Sequence, residues 1–248
     1  MKRKRLRGFI VGIGLIAKIA LPETSLASRL RDDDKRLAEE AQRTKKAAQV
    51  LEEIMRADDR AIPEGLLKRA YAIAVIPHVV KGAFLAGGRF GKGLISSRDE
   101  HNEWGPPAFI EIAGGSFGLQ VGVVATDLVM VFIEEDGMRA LIDDKLKLGA
   151  DVSVAAGPLG RHAEVGTNVT LDSAIYSYSR SKGVFAGVSL DGSVISMDDS
   201  SNHRVYPPHT TGDDILFEQT IPTPEVTKPF VRALQTHVPP LEETPKDR

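Results

Sequence analysis

The chain has 248 residues, of which 42% are hydrophobic and 27% charged, a balance typical of a folded protein with one domain of ordinary size and extensions at its ends. It contains no cysteine, which excludes disulfides, thiolate metal sites, a cysteine nucleophile and a lipid anchor on cysteine. The formal net charge of −2 lacks the excess of cations that nucleic-acid binding requires.

The N-terminus combines a cationic start with an apolar stretch. Five Lys and Arg residues lie within residues 2–7, Gly8–Leu21 is mostly apolar, and Ser25–Ala27 supplies small residues at a cleavage spacing. This pattern is typical of a bacterial secretory signal, residues 1–27, and predicts a periplasmic or envelope-associated protein. Lys18 makes the apolar stretch too short to span a bilayer. The alternative is an uncleaved basic end that anchors the protein on anionic membrane.

Without this segment the chain is acidic. Residues 1–27 hold six of the 32 Lys and Arg and one of the 34 Asp and Glu, so 26 cations remain against 33 acids, a net charge of −7. Such a protein repels phosphate backbones and anionic headgroups in bulk. We therefore expect no nucleic-acid partner, and any anion must bind at a local cluster of cations.

A long amphipathic helix is predicted from Arg29 to Arg60, because apolar residues such as Leu30, Leu37 and Leu51 recur at helical spacing. Its polar face mixes acids with Lys and Arg, which is typical of a solvated face and not of a basic membrane-binding helix. The helix is expected to cover one open face of the core. Insertion into a membrane interface is the alternative.

The pattern after the helix is rich in β-structure. A short helix is predicted after Pro63 and another near residues 134–142. Strands are predicted at residues 71–76, 116–123, 128–133, 149–156, 163–171, 175–179, 183–190 and 193–197. Short neighbouring strands with tight turns favour antiparallel pairing. The predicted fold class is α+β: an antiparallel, glycine-rich β-sheet curled toward a barrel and closed by the long N-terminal amphipathic helix and short helices.

The C-terminal part is rich in proline. Eight prolines follow Asn202, which predicts a mostly extended segment with one helix near residues 225–234 and a disordered end over the last ten residues. The predicted organisation is a signal at 1–27, a domain at 28–200 and a proline-rich, partly disordered extension at 201–248.

No motif supports catalysis, a metal or a cofactor. Gly87–Gly93 has three residues where a phosphate loop needs four before Gly-Lys, and no Ser or Thr follows, so a hairpin is favoured. The six histidines lack metal-ligand spacing. Neighbouring acids such as Asp198 and Asp199 suit solvated turns and caps better than an acid–base pair. Ser116 formally fits Gly-x-Ser-x-Gly, but the alternation after it indicates a strand and not the helix of a hydrolase elbow.

The segment Ile175–Gly192 is the clearest candidate for recognition. It sets Arg180 and Lys182 among serines and beside Tyr176 and Tyr178, where they can receive an anion through charge-assisted hydrogen bonds, although an ordinary polar turn has the same pattern.

A series of segments resembles the SYLF domain family. They include AIAVIP at 72–77, GGRFGKG at 87–93, WGPPAF at 104–109, GGSFGLQVG at 114–122, KLGAD at 147–151 and AAGPLGR at 155–161, together with residues 62–70 and 175–192. Their order and spacing agree with the family from about residue 35 to about residue 198. The resemblance implies lipid binding, of phosphoinositides in eukaryotic members, and actin binding in the yeast branch, which we do not transfer to an exported bacterial member.

The sequence thus favours a non-enzymatic envelope protein that binds anionic phospholipid headgroups on a membrane surface. The candidate lipid-binding residues, chosen by charge and setting, are Arg89, Lys92, Arg161, Arg180 and Lys182. The alternative is a structural or interaction module that docks an envelope protein partner without touching lipid. A hydrolase at Ser116 is the third, weakest hypothesis.

Overall fold

A computed structural model describes residues 24–56, 62–84, 86–116, 122–143, 145–158, 173–181 and 184–240. The chain divides into two compact units, residues 1–36 and 37–248. Of the first unit the structure describes the beginning of helix α1. The second unit contains the remaining elements described below.

Six helices lie in the described residues, and the first confirms the long amphipathic helix that the sequence predicts. They are α1 (Thr24–Arg56), α2 (Glu64–Leu67), α3 (Asp136–Asp143), α4 (Asp199–Val205), α5 (Gly212–Leu216) and α6 (Lys228–His237). Across the ranges described, no helix combines the length and the apolar character needed to traverse a bilayer.

Nine described strands form one curled sheet, which confirms the predicted fold class. They are β1 (Ala72–Phe84), β2 (Ala86–Ser97), β3 (Ala108–Ser116), β4 (Gly122–Phe132), β5 (Lys145–Lys147), β6 (Val154–Ala156), β7 (Ile175–Ser181), β8 (Val184–Gly187) and β9 (Ser193–Met197). The order is β5-β9-β3-β2-β1-β4-β7-β6, and β8 pairs with β7. Pairing is antiparallel as predicted, with the exception of the parallel pair β6 and β7.

The two faces of the sheet carry two apolar clusters, because successive strand residues point to opposite sides. Ile73 and Val75 belong to one cluster with α6 and with the part of α1 from Ala47 to Ile54. Ala74 and Ile76 belong to the other cluster, which α3 and α5 cover. The prediction that the long helix covers one face of the core is therefore confirmed.

Strand β1 carries a bulge around Pro77 and His78, where its register shifts against both neighbours. His78 adopts a φ of +54°, and its N–H donates to Asp127 Oδ1 at 3.0 Å. Opposite the bulge, a Cβ on Gly93 would lie only 2.2 Å from the carbonyl oxygen of Val75. The glycines of segment 87–93 thus permit close approach of two strands, and the segment forms one strand of a hairpin, as predicted.

The helix predicted near residues 225–234 is present as α6, but the prediction that the remainder of residues 202–240 is extended is wrong. This segment contains the end of α4 and all of α5 and α6, and Phe230 and Leu234 of α6 are fully buried. Pro229 lies at the first turn of α6, where a missing N–H costs no helical bond. Thr211 begins α5 with a reciprocal capping box to Asp214. Prolines here delimit short helices and do not prevent them.

Several predictions fall wholly or largely on residues whose structure is not described. The signal segment lies outside the described residues up to residue 23, the predicted strand at 163–171 lies wholly outside them, and so does most of the predicted disordered end, from residue 241.

Candidate functional site

The cations predicted as lipid contacts do not come together in the described part of the chain. Arg161 and Lys182 lie outside the described residues. Arg89 and Lys92 are three positions apart on β2 and therefore point to opposite faces of the sheet. Arg180 lies on β7, separated from β2 by β1 and β4.

Acids already neutralise two of these cations. Lys92 Nζ lies 2.8 Å from Asp198 Oδ2 and 3.5 Å from Glu111 Oε2. Arg180 pairs with Glu53 of α1 and, at 3.7 Å, with Asp127. All of these pairs lie on the face that α1 covers. These ion pairs link α1 and the neighbouring strands to one another.

Asp198 is the centre of a buried ion cluster. Only 4% of its surface is exposed, and its carboxylate accepts hydrogen bonds from Lys92 Nζ at 2.8 Å, Arg43 Nη1 at 3.3 Å and the Ser201 hydroxyl at 2.7 Å. Burial raises the pKa of this carboxyl, but the hydrogen bonds from Lys92, Ser201 and Ser200 outweigh burial and lower the pKa to about 2. The prediction of a solvated acid is therefore wrong for Asp198, because distant cations reach it.

Glu40 is the second acid of this cluster. Its side chain is 3% exposed and pairs with Arg43 at 2.9 Å and with Arg204 at 2.7 Å. We use the name ion cluster for Glu40, Arg43, Lys92, Asp198 and Arg204. It joins α1, β2 and α4, and Asp198 also caps α4 by accepting from the backbone N–H of Ser201. The cluster fixes α1 against the sheet beside the β1 bulge.

An open groove of about 440 Å³ lies next to the ion cluster. Residues of α1 form one wall, and the β1 bulge and β2 form the other: Glu39, Gln42, Arg43, Lys46, Pro77, His78, Val80, Phe90, Gly91 and Lys92. We call it the helix–hairpin groove. Val80 and Phe90 are cross-strand partners, and they are 45% and 50% exposed. Together they form a small apolar patch in the groove.

The rim of this groove is mainly cationic. Its described lining contains Arg43, Lys46 and Lys92. Lys46 is half-buried and has no ion pair among the described residues. Glu39 supplies the one acid of the lining that the structure describes. Sequence patterns missed Val80 and Lys46, since neither has an unusual neighbourhood in the chain. Phe90 offered a signal, as an aromatic residue between cations in a glycine-rich strand.

The hydroxyls of the segment Ile175–Gly192 do not form an anion site. Tyr178 is fully buried, its hydroxyl donates to the Pro158 carbonyl oxygen at 3.3 Å, and burial raises its pKa. Ser177 is also buried, and its hydroxyl donates to the Ala155 carbonyl oxygen at 3.1 Å. The idea that Tyr176 and Tyr178 help to receive a phosphate is wrong, because both side chains are buried in the first apolar cluster.

Catalytic and metal chemistry gains no support from the described residues. No group of His, Asp and Glu that could hold a metal ion occurs among them. Ser116 is the last residue of β3 and pairs with Gly87, so a strand precedes it, while its side chain lies outside what the structure describes. Trp104 is buried in the core.

A family model described as "Ysc84: Las17-binding protein actin regulator" matches residues 113–237. The matched range includes β4 to β9 and the three C-terminal helices. It therefore covers the segment after residue 200, where α6 packs in the core.

Curated relatives support the same similarity. Protein YSC84 of Saccharomyces cerevisiae is 38% identical over 201 residues, which cover 78% of this chain and 42% of the yeast protein. LAS seventeen-binding protein 3 of the same organism is 37% identical over 201 residues, with 78% and 43% covered. SH3 domain-containing YSC84-like protein 1 of Homo sapiens is 34% identical over 182 residues, with 71% and 53% covered. The matched region thus spans about half, or less, of the length of these relatives.

Proposed function

Because this chain belongs to the Ysc84 family, the SYLF-domain family that its sequence resembles, we propose that it is a non-enzymatic binding module that attaches to anionic phospholipid surfaces through the helix–hairpin groove. The description of the family model as a binding protein and regulator supports a binding role. Lipid binding is the activity that the SYLF resemblance implies.

The observation that carries this proposal is the exposed pair Val80 and Phe90 beside unpaired cationic charge. An aromatic residue at a membrane interface buries its ring among the acyl chains near the headgroups, and neighbouring cations attract the headgroups themselves. Phe90 and Lys46 line the same groove and supply both contributions. The β1–β2 hairpin presents the apolar pair on a rigid, hydrogen-bonded support.

The groove also explains how an acidic protein reaches an acidic surface. Lys92 and Arg180 contribute little to long-range attraction, because acids at 2.8 Å and 3.7 Å compensate their charges. Lys46 and its exposed neighbour Lys45 have no such partner among the described residues. The electrostatic potential around Lys45 and Lys46 of α1 is therefore more positive than the net charge of the protein suggests.

Flotation with phosphatidylglycerol vesicles at low salt tests the proposal. Phe90→Ser should weaken binding about tenfold, since burying the exposed half of a phenylalanine contributes about 1.5 kcal/mol. Lys46→Glu should weaken it by roughly ten- to thirtyfold, at about 1 kcal/mol per unit charge near an anionic surface. Binding should decline as salt rises toward about 0.5 M, because screening shortens the reach of the cations.

Matched controls come from distant exposed positions. Val184 is 71% exposed on β8, and Lys145 is exposed on the edge strand β5. Val184→Ser and Lys145→Glu should leave vesicle binding within about twofold of the parent protein. Equal losses in controls and groove variants would reject the groove as the site. A parent protein that does not float with phosphatidylglycerol at low salt would reject lipid binding altogether.

A protein partner is the second candidate function. One yeast relative is named LAS seventeen-binding protein 3, and the matching family model is described as Las17-binding. An apolar groove with a cationic rim also suits an acidic, amphipathic segment of another protein. The vesicle experiment separates the two candidates, because pure lipid vesicles offer no protein. The second candidate would be favoured if the parent protein retains one partner at a fixed stoichiometry, the Phe90→Ser variant does not retain it, and the parent protein does not bind vesicles.

The envelope location belongs to the same proposal. It rests on the signal pattern of residues 1–27. A protein exported with such a signal meets the anionic phospholipid surfaces that the proposal requires. N-terminal sequencing of the mature protein tests it, since export with cleavage after Ala27 leaves Ser28 as the first residue. An intact Met1 on the folded protein would exclude cleavage.

A further inference from the structure

Two cations face each other across neighbouring strands on the side of the sheet opposite Phe90. Lys81 of β1 and Arg89 of β2 are direct cross-strand partners. The other described cations at such central positions face acids: Lys92 lies opposite Glu111, and Arg180 lies opposite Asp127. Like charges directly opposite destabilise a pair of strands. On the neighbouring described strands no acid lies opposite Lys81 or Arg89, whereas an acid lies opposite Lys92 and opposite Arg180.

Both cations line a cavity of about 230 Å³. Its described lining contains no Asp or Glu, and no ion pair joins Lys81 or Arg89 to an acid among the described residues. Thr126 and Ser179 add hydroxyl groups, while Leu128 belongs to its apolar wall. We call this cavity the cationic pocket.

The pocket is partly shielded from water. Lys81 and Arg89 are both half-buried, and burial lowers the pKa of the Arg89 guanidinium. An uncompensated cation at such a position is destabilising, and a bound anion removes that penalty. Apolar walls next to the two charges favour a ligand with a hydrocarbon part over a fully hydrated ion.

We propose that the cationic pocket binds a small amphiphilic anion, such as a short-chain carboxylate or an alkyl phosphate, with its anionic group between Lys81 and Arg89 and its chain along the apolar wall at Leu128. Pockets for drug-sized ligands measure about 300–1,000 Å³, so this smaller cavity suits a short chain. The site is distinct from the helix–hairpin groove, because Arg89 and Phe90 are successive residues of one strand. The inference does not depend on vesicle binding.

Titration calorimetry with octyl phosphate below its micelle concentration tests the proposal in the complete protein. Octyl phosphate should bind saturably, whereas inorganic phosphate and octanol, which each lack one half of the ligand, should bind at least about tenfold more weakly. Lys81→Gln and Arg89→Gln should each weaken octyl phosphate binding about tenfold. Lys145→Gln at the exposed sheet edge should leave the dissociation constant unchanged.

Thermal unfolding without ligand adds an independent readout. Lys81→Gln removes the repulsion between the two cations and should raise the Tm of the free protein, and octyl phosphate should raise the Tm of the parent protein more than that of this variant. Absence of saturable octyl phosphate binding overturns the proposal. If inorganic phosphate binds as tightly as octyl phosphate, the ligand is not an amphiphile. If Arg89→Gln binds octyl phosphate as tightly as the parent protein, the ligand does not bind in the cationic pocket.

Discussion

Replacement of Asp198 by asparagine is expected to lower the free energy of unfolding by about 3 kcal/mol, the usual cost of breaking a buried ion pair from one side. The substitution keeps the size of the side chain, but it leaves Lys92 and Arg43 without the carboxylate that they share. The side-chain oxygen of asparagine can still accept from the Ser201 N–H and cap α4, so the substitution chiefly removes the charge. Loss of one acid therefore loosens α1, β2 and α4 together.

Urea unfolding followed by circular dichroism measures this effect. Asp199→Asn is the matched control, because Asp199 is the next residue, is exposed and has the same chemistry. The control should change stability by about 0.5 kcal/mol or less, as surface substitutions usually do. Equal destabilisation by both substitutions would mean that the ion cluster contributes nothing beyond the charge at the start of α4.

The dependence of the free energy of unfolding on pH in the acid range gives a second test of the same carboxylate. The pKa of Asp198 is lowered from an ordinary value of 3.8 to about 2 in the folded protein. A group with a lowered folded pKa contributes stability above its unfolded pKa, and that contribution is lost as pH falls through the folded pKa. The parent protein should lose about 2 kcal/mol from this group between about pH 4 and pH 2. The difference between parent and Asp198→Asn should shrink over this window, and a constant difference would contradict the assignment.

Gly93→Ala is expected to destabilise the protein by about 3 kcal/mol, at the upper end of what overpacking usually costs. The added Cβ would lie 2.2 Å from the Val75 carbonyl oxygen and 2.6 Å from the Ile76 Cα. Both are backbone atoms, so no side chain can move aside to make room. Strand β1 must instead move away from β2 at the bulge.

Gly115→Ala is the matched control on the adjacent strand β3, since a Cβ there meets nothing within 4 Å. It should be neutral or slightly stabilising, because alanine reduces the conformational freedom of the unfolded chain. Denaturant midpoints of the two variants give the comparison. Similar midpoints for the two would show that the bulge can accommodate a methyl group and that the close approach is not rigid.

Features that follow from local periodicity could be predicted from the sequence. The apolar repeat identifies the helix that packs from Ala47 to Ile54, and the continuous apolar run near Val75 identifies a central strand. Segment 87–93 could be rejected as a phosphate loop from spacing alone, and a hairpin favoured instead. Each of these signals is contained within a few successive residues.

The candidate sites could not be predicted in this way, because they depend on long-range pairing. Asp198 looks like half of a polar turn, but its cations come from 106 and 155 residues away in the chain. Val80 and Phe90 form an exposed pair only after the register of β1 and β2 is known. The same register places Lys81 opposite Arg89, whereas composition alone groups Arg89 with Lys92 and Arg180.

The strand and helix order also sets when the protein can complete its fold during synthesis. Lys92 and Asp198 are 106 residues apart, so at about 5–20 residues per second roughly 5–20 s pass before the ribosome supplies the acid that Lys92 requires. The α6 residues that complete the first apolar cluster are made later still. A nascent chain that ends before α6 therefore leaves the apolar residues of this cluster uncovered for seconds.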